Sequence, residues 1–175
     1  GNIGATNVLR TGNKGLAAAT LLLDLIKGFV PVFLAWRWFN EPTTMPAAFY
    51  GPVACAAFGA SVGHCFPIWL KFKGGKGVAT SLGALLGFWP VLTIPAIASA
   101  ILWYAVTQPT AYVGLASVIA AAAMPVMAVG FALLLKRSPG ETAVYAGVCA
   151  ALALLGIARH RANSARRRAG TETKV

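Results

Sequence analysis

Charged residues are scarce in this sequence, and acidic residues are the scarcest. Its 175 residues include 4 Asp and Glu against 15 Lys and Arg, and 58% of them are hydrophobic. About a quarter of the residues of a soluble domain are usually charged. The composition therefore excludes an ordinary soluble domain, and with it a nucleic-acid-binding protein with a water-soluble core. Because the formal charge of +11 is carried by an apolar chain, we predict an integral membrane protein without a nucleic-acid partner.

Cysteine and histidine, which build disulfides and metal sites, are also rare. The 3 cysteines lie far apart, and the 2 histidines have neither a carboxylate nor a cysteine pair at ligand spacing. Neither a disulfide scaffold nor a metal site is expected from this pattern. The GxSxG motif of a serine nucleophile is missing as well. We therefore predict no metal, no cofactor and no covalent nucleophile.

Four hydrophobic stretches are long enough to cross a bilayer as helices. A transmembrane helix needs about 20 apolar residues to cross about 30 Å of hydrocarbon. The four stretches are Gly15–Phe39, Met45–Leu70, Thr110–Leu135 and Glu141–Ala158. A fifth stretch, Val78–Thr107, is too long for one straight span and is interrupted by Gly and Pro. It forms either one kinked helix or two helices.

The positions of Lys and Arg decide between these alternatives, because cytoplasmic loops are enriched in both. Leaving aside Lys27 inside the first span, a total of five spans puts seven basic residues on each side. Two helices in the fifth stretch give six crossings, with eleven basic residues on the cytoplasmic side and three outside. We therefore predict an all-α, polytopic membrane protein with six crossings, a single domain over residues 1–175 and a basic cytoplasmic segment over 159–175.

One pair of ionisable residues lies inside the first span. Asp24 and Lys27 are three residues apart and share a helix face, and ionisable side chains at membrane depth usually face the protein interior and pair with each other. Two interpretations are open: a structural ion pair within the helix bundle, or a part in catalysis.

Two glycine-rich segments on the predicted cytoplasmic face suit a phosphate ligand. The first, GNIGATNVLRTGNKG, combines glycines with Arg10 and Lys14, and an ordinary polar tail is the alternative. The second, GHCFPIWLKFKGGKGVATSLG, places Lys76 between glycines just before a helix. Backbone N–H groups, the helix N-terminus and an ammonium group would converge there on one anion. The Walker A spacing is absent, and lysines after a span also satisfy topology alone.

The third polar segment, ARHRANSARRRAGTE, follows the last span. If the helix continues through it, four polar residues share one face: Arg159, His160, Asn163 and Arg166. Arginine offers planar, bidentate recognition of phosphate, and histidine can transfer a proton near neutral pH. The alternative is an anchor for anionic lipid headgroups, which we favour for the last two arginines of the RRR run.

In this order and spacing, the three segments resemble the bacterial acyl-phosphate:glycerol-3-phosphate acyltransferase family of the PlsY type. GNIGATNVLR is similar to the family's first motif, GHCFPIWLKFKGGKGVAT to its second and RHRANSARRRAGTE to its third. The resemblance implies a seven-helix membrane enzyme with its active site at the cytoplasmic face. A first helix and a serine precede the position of Gly1 in the family, so we expect this chain to lack that helix. Family members often have serine at the position of Gly114, and Ser117 is a candidate substitute.

The resemblance also implies the reaction and the residues that perform it. A fatty acyl group would pass from acyl phosphate to the 1-hydroxyl of glycerol 3-phosphate, giving lysophosphatidic acid and inorganic phosphate. The implied catalytic residues are Arg10, Lys76, His160 and Asn163. The implied substrate-binding residues are Asn2, Thr6, Asn7, Lys14, His64, Lys73, Gly74, Gly75, Gly77, Ser117 and Arg159. Either His160 or a substrate phosphate would remove the hydroxyl proton, and the sequence leaves this open.

The expected partners are the two substrates, acyl phosphate and glycerol 3-phosphate, together with membrane lipid. We expect a monomer in the bacterial cytoplasmic (inner) membrane, with its C-terminus in the cytoplasm. The alternative function is a transporter or flippase of a phosphorylated lipid, which would also need a basic face and helices broken by Gly and Pro.

Overall fold

The computed structural model describes residues 3–39 and 46–174, and the regular structure of these residues is helical throughout. A 3₁₀ turn at Ile68–Leu70 separates the third and fourth α-helices. The α-helices are α1 Ala5–Leu9, α2 Lys14–Phe39, α3 Pro46–Cys65, α4 Val78–Leu86, α5 Thr93–Thr110, α6 Val113–Leu134, α7 Pro139–Arg159 and α8 Arg161–Arg168. The predicted all-α class is confirmed.

Four segments of the described chain are long and apolar enough to cross a membrane. They are α2, residues 50–70, α6 and α7, and they agree with the four predicted stretches to within a few residues. Many large apolar side chains on these segments stay exposed, such as Leu134 with 74% and Leu154 with 69% of its surface. Lipid, rather than water, is the solvent that suits such surfaces. The chain is therefore a multi-pass membrane protein.

The long fifth stretch forms two helices, α4 and α5, separated by residues 87–92. Helix α4 has 9 residues, and at about 1.5 Å per residue it spans less than half of the hydrocarbon layer. Helix α5 has 18 residues. The break in this stretch agrees with the sequence, whereas the count of six crossings stays a prediction because α4 alone is too short to cross.

Helix α4 packs closely against α2 through glycines. A Cβ added to Gly28 would overlap the Thr80 carbonyl oxygen and lie 2.9 Å from the Ala84 nitrogen. On the facing helix, a Cβ added to Gly83 would overlap the Leu25 carbonyl group. Small residues let helix backbones approach in membrane proteins. These two glycines therefore fix the start of α4, and with it the loop before α4, relative to the middle of α2.

A cluster of polar side chains joins α3 to α7 at the end of the bundle near the start of α7. The Tyr50 hydroxyl donates a hydrogen bond to Glu141 Oε1 at 2.7 Å, and the Tyr145 hydroxyl donates to the Tyr50 oxygen at 3.0 Å. Ser138 and Glu141 form a capping box at the first turn of α7. Because these bonds join α3 to α7, they hold the two helices whose opposite ends carry motif residues.

The condition under which the four polar residues of the third segment share one helix face, a helix that continues from the last span through Arg166, is not met. Helix α7 ends at Arg159 and α8 begins at Arg161, with His160 between them at φ −94° and ψ 2°. The His160 ring bonds to the carbonyl oxygen of Gly156, which ties the side chain back onto the preceding turn. The helix is therefore interrupted at this residue.

Candidate active site

The glycine loop, residues 71–77, connects the 3₁₀ turn to α4 and is fixed to the end of α3. The Gly74 amide donates to the Cys65 carbonyl oxygen at 3.2 Å, and the Gly75 amide donates to the His64 carbonyl oxygen at 3.1 Å. Gly77 has a φ of +81°, a conformation that favours glycine. The amides of Gly74 and Gly75 are thus already bonded within the protein. The amides of the first turn of α4, which lack partners within a helix, are the better donors for an anion.

Lys76 joins this loop to the C-terminal segment. Its ammonium group donates a hydrogen bond to Asn163 Oδ1 at 2.6 Å, and the Asn163 side-chain amide donates to Glu172 Oε1 at 2.6 Å. Asn163 and Glu172 are buried, and Lys76 is half-buried. The second and third motifs, 87 residues apart at these positions, therefore meet through a continuous line of hydrogen bonds.

Positive charge surrounds Lys76. Burial lowers the pKa of Lys76, and the charges of Arg166, Arg10 and Arg159 lower it further, whereas the Glu172 carboxylate raises it. These cations repel one another, so an anion with two negative charges would relieve their repulsion. Phosphate groups have that charge and accept several hydrogen bonds.

Arg159 supports the glycine loop from the other side. Its Nε donates to the Gly75 carbonyl oxygen and its Nη2 donates to the Gly74 carbonyl oxygen, both at 3.2 Å. The guanidinium group also lies 4.9 Å from the centre of the Phe66 ring. Arg159 was predicted to bind substrate, and its contacts here are with the loop itself.

His160 is buried, with 2% of its surface exposed. Its Nδ1 lies 2.7 Å from the Gly156 carbonyl oxygen, and a carbonyl only accepts, so Nδ1 carries the proton and Nε2 is free to accept one. Burial lowers the pKa of His160, and the charges of Lys76 and Arg159 act in the same direction against the Gly156 bond, which raises it. The imidazole is therefore neutral near pH 7.

His64 lies at the end of α3 beneath the glycine loop. It is buried, and its Nδ1 lies 3.5 Å from Asp24 Oδ1. A Cβ added to Gly75 would overlap His64 Nε2, so the ring fills the space that a side chain at position 75 would need. Asp24 also forms an ion pair with Lys27, which confirms that these two residues are paired.

Arg10 connects the first motif to this region. Helix α1 packs against α2, and Arg10, which follows it, donates to the Thr173 carbonyl oxygen at 3.4 Å. Thr6 in α1 is half-buried, and three further predicted residues are exposed: Asn7, Lys14 and Lys73. The structure describes no hydrogen bond from these four side chains to the Lys76 cluster. Asn2 lies outside the described residues.

Ser117 lies on α6 one turn beyond Gly114. Its hydroxyl donates to the Val113 carbonyl oxygen at 2.8 Å and accepts from Trp103 Nε1 at 3.1 Å. The bond from Trp103 joins α5 to α6. Its role as a substrate-binding residue stays a prediction.

Sequence reasoning missed one residue of the cluster, Glu172, and singled out Gly114 only as a departure from the family pattern. A Cβ at Gly114 would lie 2.6 Å from Glu172 Oε1 and 3.0 Å from the Asn163 side chain, so the missing side chain makes room for both. The signal for Glu172 was its rarity, since the chain has 4 acidic residues. An acidic residue inside a basic segment differs from its neighbours, and when such a residue is buried it is almost always paired with a specific partner.

Comparison with known proteins gives one consistent result. A family model described as glycerol-3-phosphate acyltransferase matches residues 1–170. The glycerol-3-phosphate acyltransferase of Erythrobacter litoralis (strain HTCC2594) is 54% identical over 126 residues, which are 70% of this chain and 57% of that protein. The glycerol-3-phosphate acyltransferase of Rhodopseudomonas palustris (strain HaA2) is 46% identical over 176 residues, which are 100% of this chain and 78% of that protein.

Solved structures agree with these sequences. The crystal structure of PlsY (YgiH), an integral membrane glycerol 3-phosphate acyltransferase in its glycerol 3-phosphate form, is similar to this chain with a TM-score of 0.78 and 30% identity. The similarity covers 100% of this chain and 78% of that one. The lysophosphatidic acid form of the same protein has a TM-score of 0.76.

Proposed function

The chain belongs to the glycerol-3-phosphate acyltransferase family and is an enzyme, and we propose that it transfers a fatty acyl group from acyl phosphate to the 1-hydroxyl of glycerol 3-phosphate. The products are lysophosphatidic acid and inorganic phosphate. The observation that carries this proposal is the 2.6 Å bond between Lys76 and Asn163. It joins a lysine between glycines to the C-terminal motif in a cluster of positive charge.

The phosphate of glycerol 3-phosphate is held at Lys76 and at the amides of the first turn of α4 in this proposal. Arg10 adds positive charge from the first motif, and Asn163 orients the Lys76 ammonium group. Gly74, Gly75 and Gly77 act by letting the loop lie close to α3 and turn into α4. Since the proposed residues belong to one chain, a monomer is sufficient for activity.

The acyl chain is accommodated beside the site in an apolar groove between α4 and α5. The groove has a volume of about 340 Å³ and is lined by Leu82, Leu86, Ile97, Ala100, Ile101 and Tyr104. Leu82 follows Lys76 by six residues, so the groove starts roughly 10 Å from the phosphate site. Apolar walls next to a cationic site match a molecule with a long acyl chain and a phosphate.

The reaction needs no covalent enzyme intermediate. The 1-hydroxyl oxygen attacks the acyl carbonyl carbon, an ester C–O bond forms, and the C–O bond to the phosphate leaving group breaks. Lys76 and Arg10 stabilise the negative charge that develops on the acyl phosphate. The hydroxyl proton passes either to His160 Nε2 or to the departing phosphate, and in the second case His160 orients the substrates.

The site lies at the cytoplasmic face of the bacterial inner membrane in this proposal. The loop containing Lys71 and Lys73 and the basic C-terminal segment lie at one end of the helices, whereas Arg37, Lys136 and Arg137 lie at the other. The end richer in Lys and Arg is the cytoplasmic one by the positive-inside rule.

The test is a measurement of inorganic phosphate release in lipid with palmitoyl phosphate, with and without glycerol 3-phosphate. We expect release that requires both substrates, with lysophosphatidic acid formed in equal amount. Lys76→Met should lower kcat/KM for glycerol 3-phosphate by roughly tenfold or more, because it removes the charged hydrogen-bond donor. Movement of a phosphorylated lipid across the bilayer without phosphate release would instead favour a transporter.

A further inference from the structure

Asp24 is a buried acidic residue that the proposed reaction does not use. It lies in the middle of α2 with 7% of its surface exposed, and α2 contains no other acidic residue. Placing a carboxylate at this depth costs several kcal/mol unless partners compensate for it. The carboxylate has two partners, the Lys27 ammonium group and the His64 ring.

Lys27 alone does not account for the position of Asp24. The Lys27 side chain is 42% exposed, so its ammonium group can reach water or lipid headgroups without a buried partner. His64 has the opposite situation, because its Nδ1 is buried and has no other polar partner among the described residues. A buried nitrogen of this kind needs an acceptor, and Asp24 Oδ1, 3.5 Å away, is the group that faces it.

His64 in turn supports the glycine loop at two points. Its carbonyl oxygen accepts the Gly75 amide at 3.1 Å, and its ring fills the space next to the Gly75 Cα where a Cβ would overlap Nε2. Gly75 is adjacent to Lys76, whose ammonium group is fixed by Asn163. Contacts therefore run without interruption from Asp24 through His64 and Gly75 to Lys76.

We propose that Asp24 is a positioning residue for the phosphate site. Its carboxylate accepts a hydrogen bond from His64 Nδ1 and holds in place the ring that the glycine loop contacts. The proposal deepens the proposed function and rests on it, because it makes glycerol 3-phosphate the ligand whose affinity depends on Asp24. With Nδ1 donating to Asp24, Nε2 is the ring nitrogen that faces Gly75, and the loop lies in contact with the ring. A displaced ring would move the loop and the Lys76 ammonium group with it.

Two substitutions of similar size separate this role from a plain ion pair. Asp24→Asn keeps an acceptor oxygen at the same distance from His64 but removes the charge. Asp24→Glu keeps the charge and the reach to Lys27 but moves the carboxylate by one methylene relative to His64. A positioning role predicts that Asp24→Glu raises KM for glycerol 3-phosphate about tenfold, short of the roughly hundredfold effect of a 1 Å misplacement. Asp24→Asn should stay close to wild type.

An ion pair that only stabilises the bundle predicts no change in KM for either variant, and it predicts that Asp24→Asn lowers the unfolding temperature more than Asp24→Glu does. Lys27→Met is the matched control, because it removes the pair without touching the His64 contact, and we expect it to leave KM for glycerol 3-phosphate unchanged. The KM for palmitoyl phosphate should change little in all three variants. An unchanged KM for glycerol 3-phosphate in Asp24→Glu, or an equal rise in Asp24→Asn and Lys27→Met, would overturn the proposal.

Binding provides a second measurement that does not depend on acyl transfer. Glycerol 3-phosphate alone should raise the unfolding temperature of the wild type, of Asp24→Asn and of Lys27→Met, because a ligand stabilises the state that binds it. Asp24→Glu should need about ten times more glycerol 3-phosphate for the same shift. Stabilisation without phosphate release would refute the proposed reaction, whereas equal stabilisation of all four proteins would refute the role of Asp24.

Discussion

Gly75→Ala should abolish most of the activity without unfolding the helix bundle. The added methyl group would overlap His64 Nε2 and lie 2.7 Å and 2.9 Å from the ring carbons Cε1 and Cδ2, against 3.4–4 Å in ordinary contacts. His64 is 6% exposed, so the loop rather than the ring has to move, by roughly 1 Å. A misplacement of that size costs about a hundredfold in rate, and overpacking costs about 1–3 kcal/mol of stability.

The assay for this prediction is phosphate release from palmitoyl phosphate and glycerol 3-phosphate, with thermal unfolding measured on the same samples. Gly63→Ala is the matched control, since Gly63 directly precedes His64 and a Cβ there has no atom within 4 Å. In a helix this change should stabilise by up to about 1 kcal/mol, and we expect activity to be retained. A Gly75→Ala enzyme with wild-type kcat/KM would show that the loop does not depend on contact with His64.

Three further changes test other parts of the structure. Asn163→Leu removes the acceptor of the Lys76 ammonium group and should raise KM for glycerol 3-phosphate about tenfold; an unchanged KM in steady-state kinetics would contradict this role. Burial lowers the pKa of His160 from its ordinary value, and the proposed reaction uses the neutral imidazole, so kcat should stay level through neutral pH and fall only under more acidic conditions. A pH profile that declines already at or above neutral pH would contradict a neutral His160. Gly28→Ala should lower the unfolding temperature, because the added methyl group would overlap the Thr80 carbonyl oxygen at a cost of about 1–3 kcal/mol. Gly51→Ala is the control and should not lower it, because a Cβ at Gly51 has no atom within 4 Å.

The membrane helices were predictable because the bilayer imposes a length on hydrophobic runs. Charged and Pro/Gly-rich segments end each run, and the four predicted spans agree with the helices to within a few residues. The place of each helix in the bundle was not predictable. Alanine and glycine are abundant in the spans, and sequence alone does not single out Gly28 and Gly83 as the residues that meet the facing backbone.

For Lys76 and Asn163, the sequence predicted only that both lie on the same side of the membrane, and it did not predict their contact. Both residues belong to motifs placed on one side by the distribution of basic residues, and the structure joins them directly. The helix interruption at His160 was not predictable, because a helix-compatible sequence continues through it. Helix α8 resumes at Arg161, and the Asn163 side chain is turned toward Lys76.

The C-terminal segment has a second role besides its basic charge. Glu172 follows Asn163 by nine residues, beyond the end of α8, so no helical periodicity connects the two. Its carboxylate approaches Asn163 because Gly114 has no side chain, and a serine there would place Cβ 2.6 Å from Glu172 Oε1. A serine at position 114 and this Glu172 position therefore exclude each other unless the glutamate shifts. Glycine at 114 thus lets the segment reach into the site, where Glu172 fixes the Asn163 amide and leaves its oxygen facing Lys76.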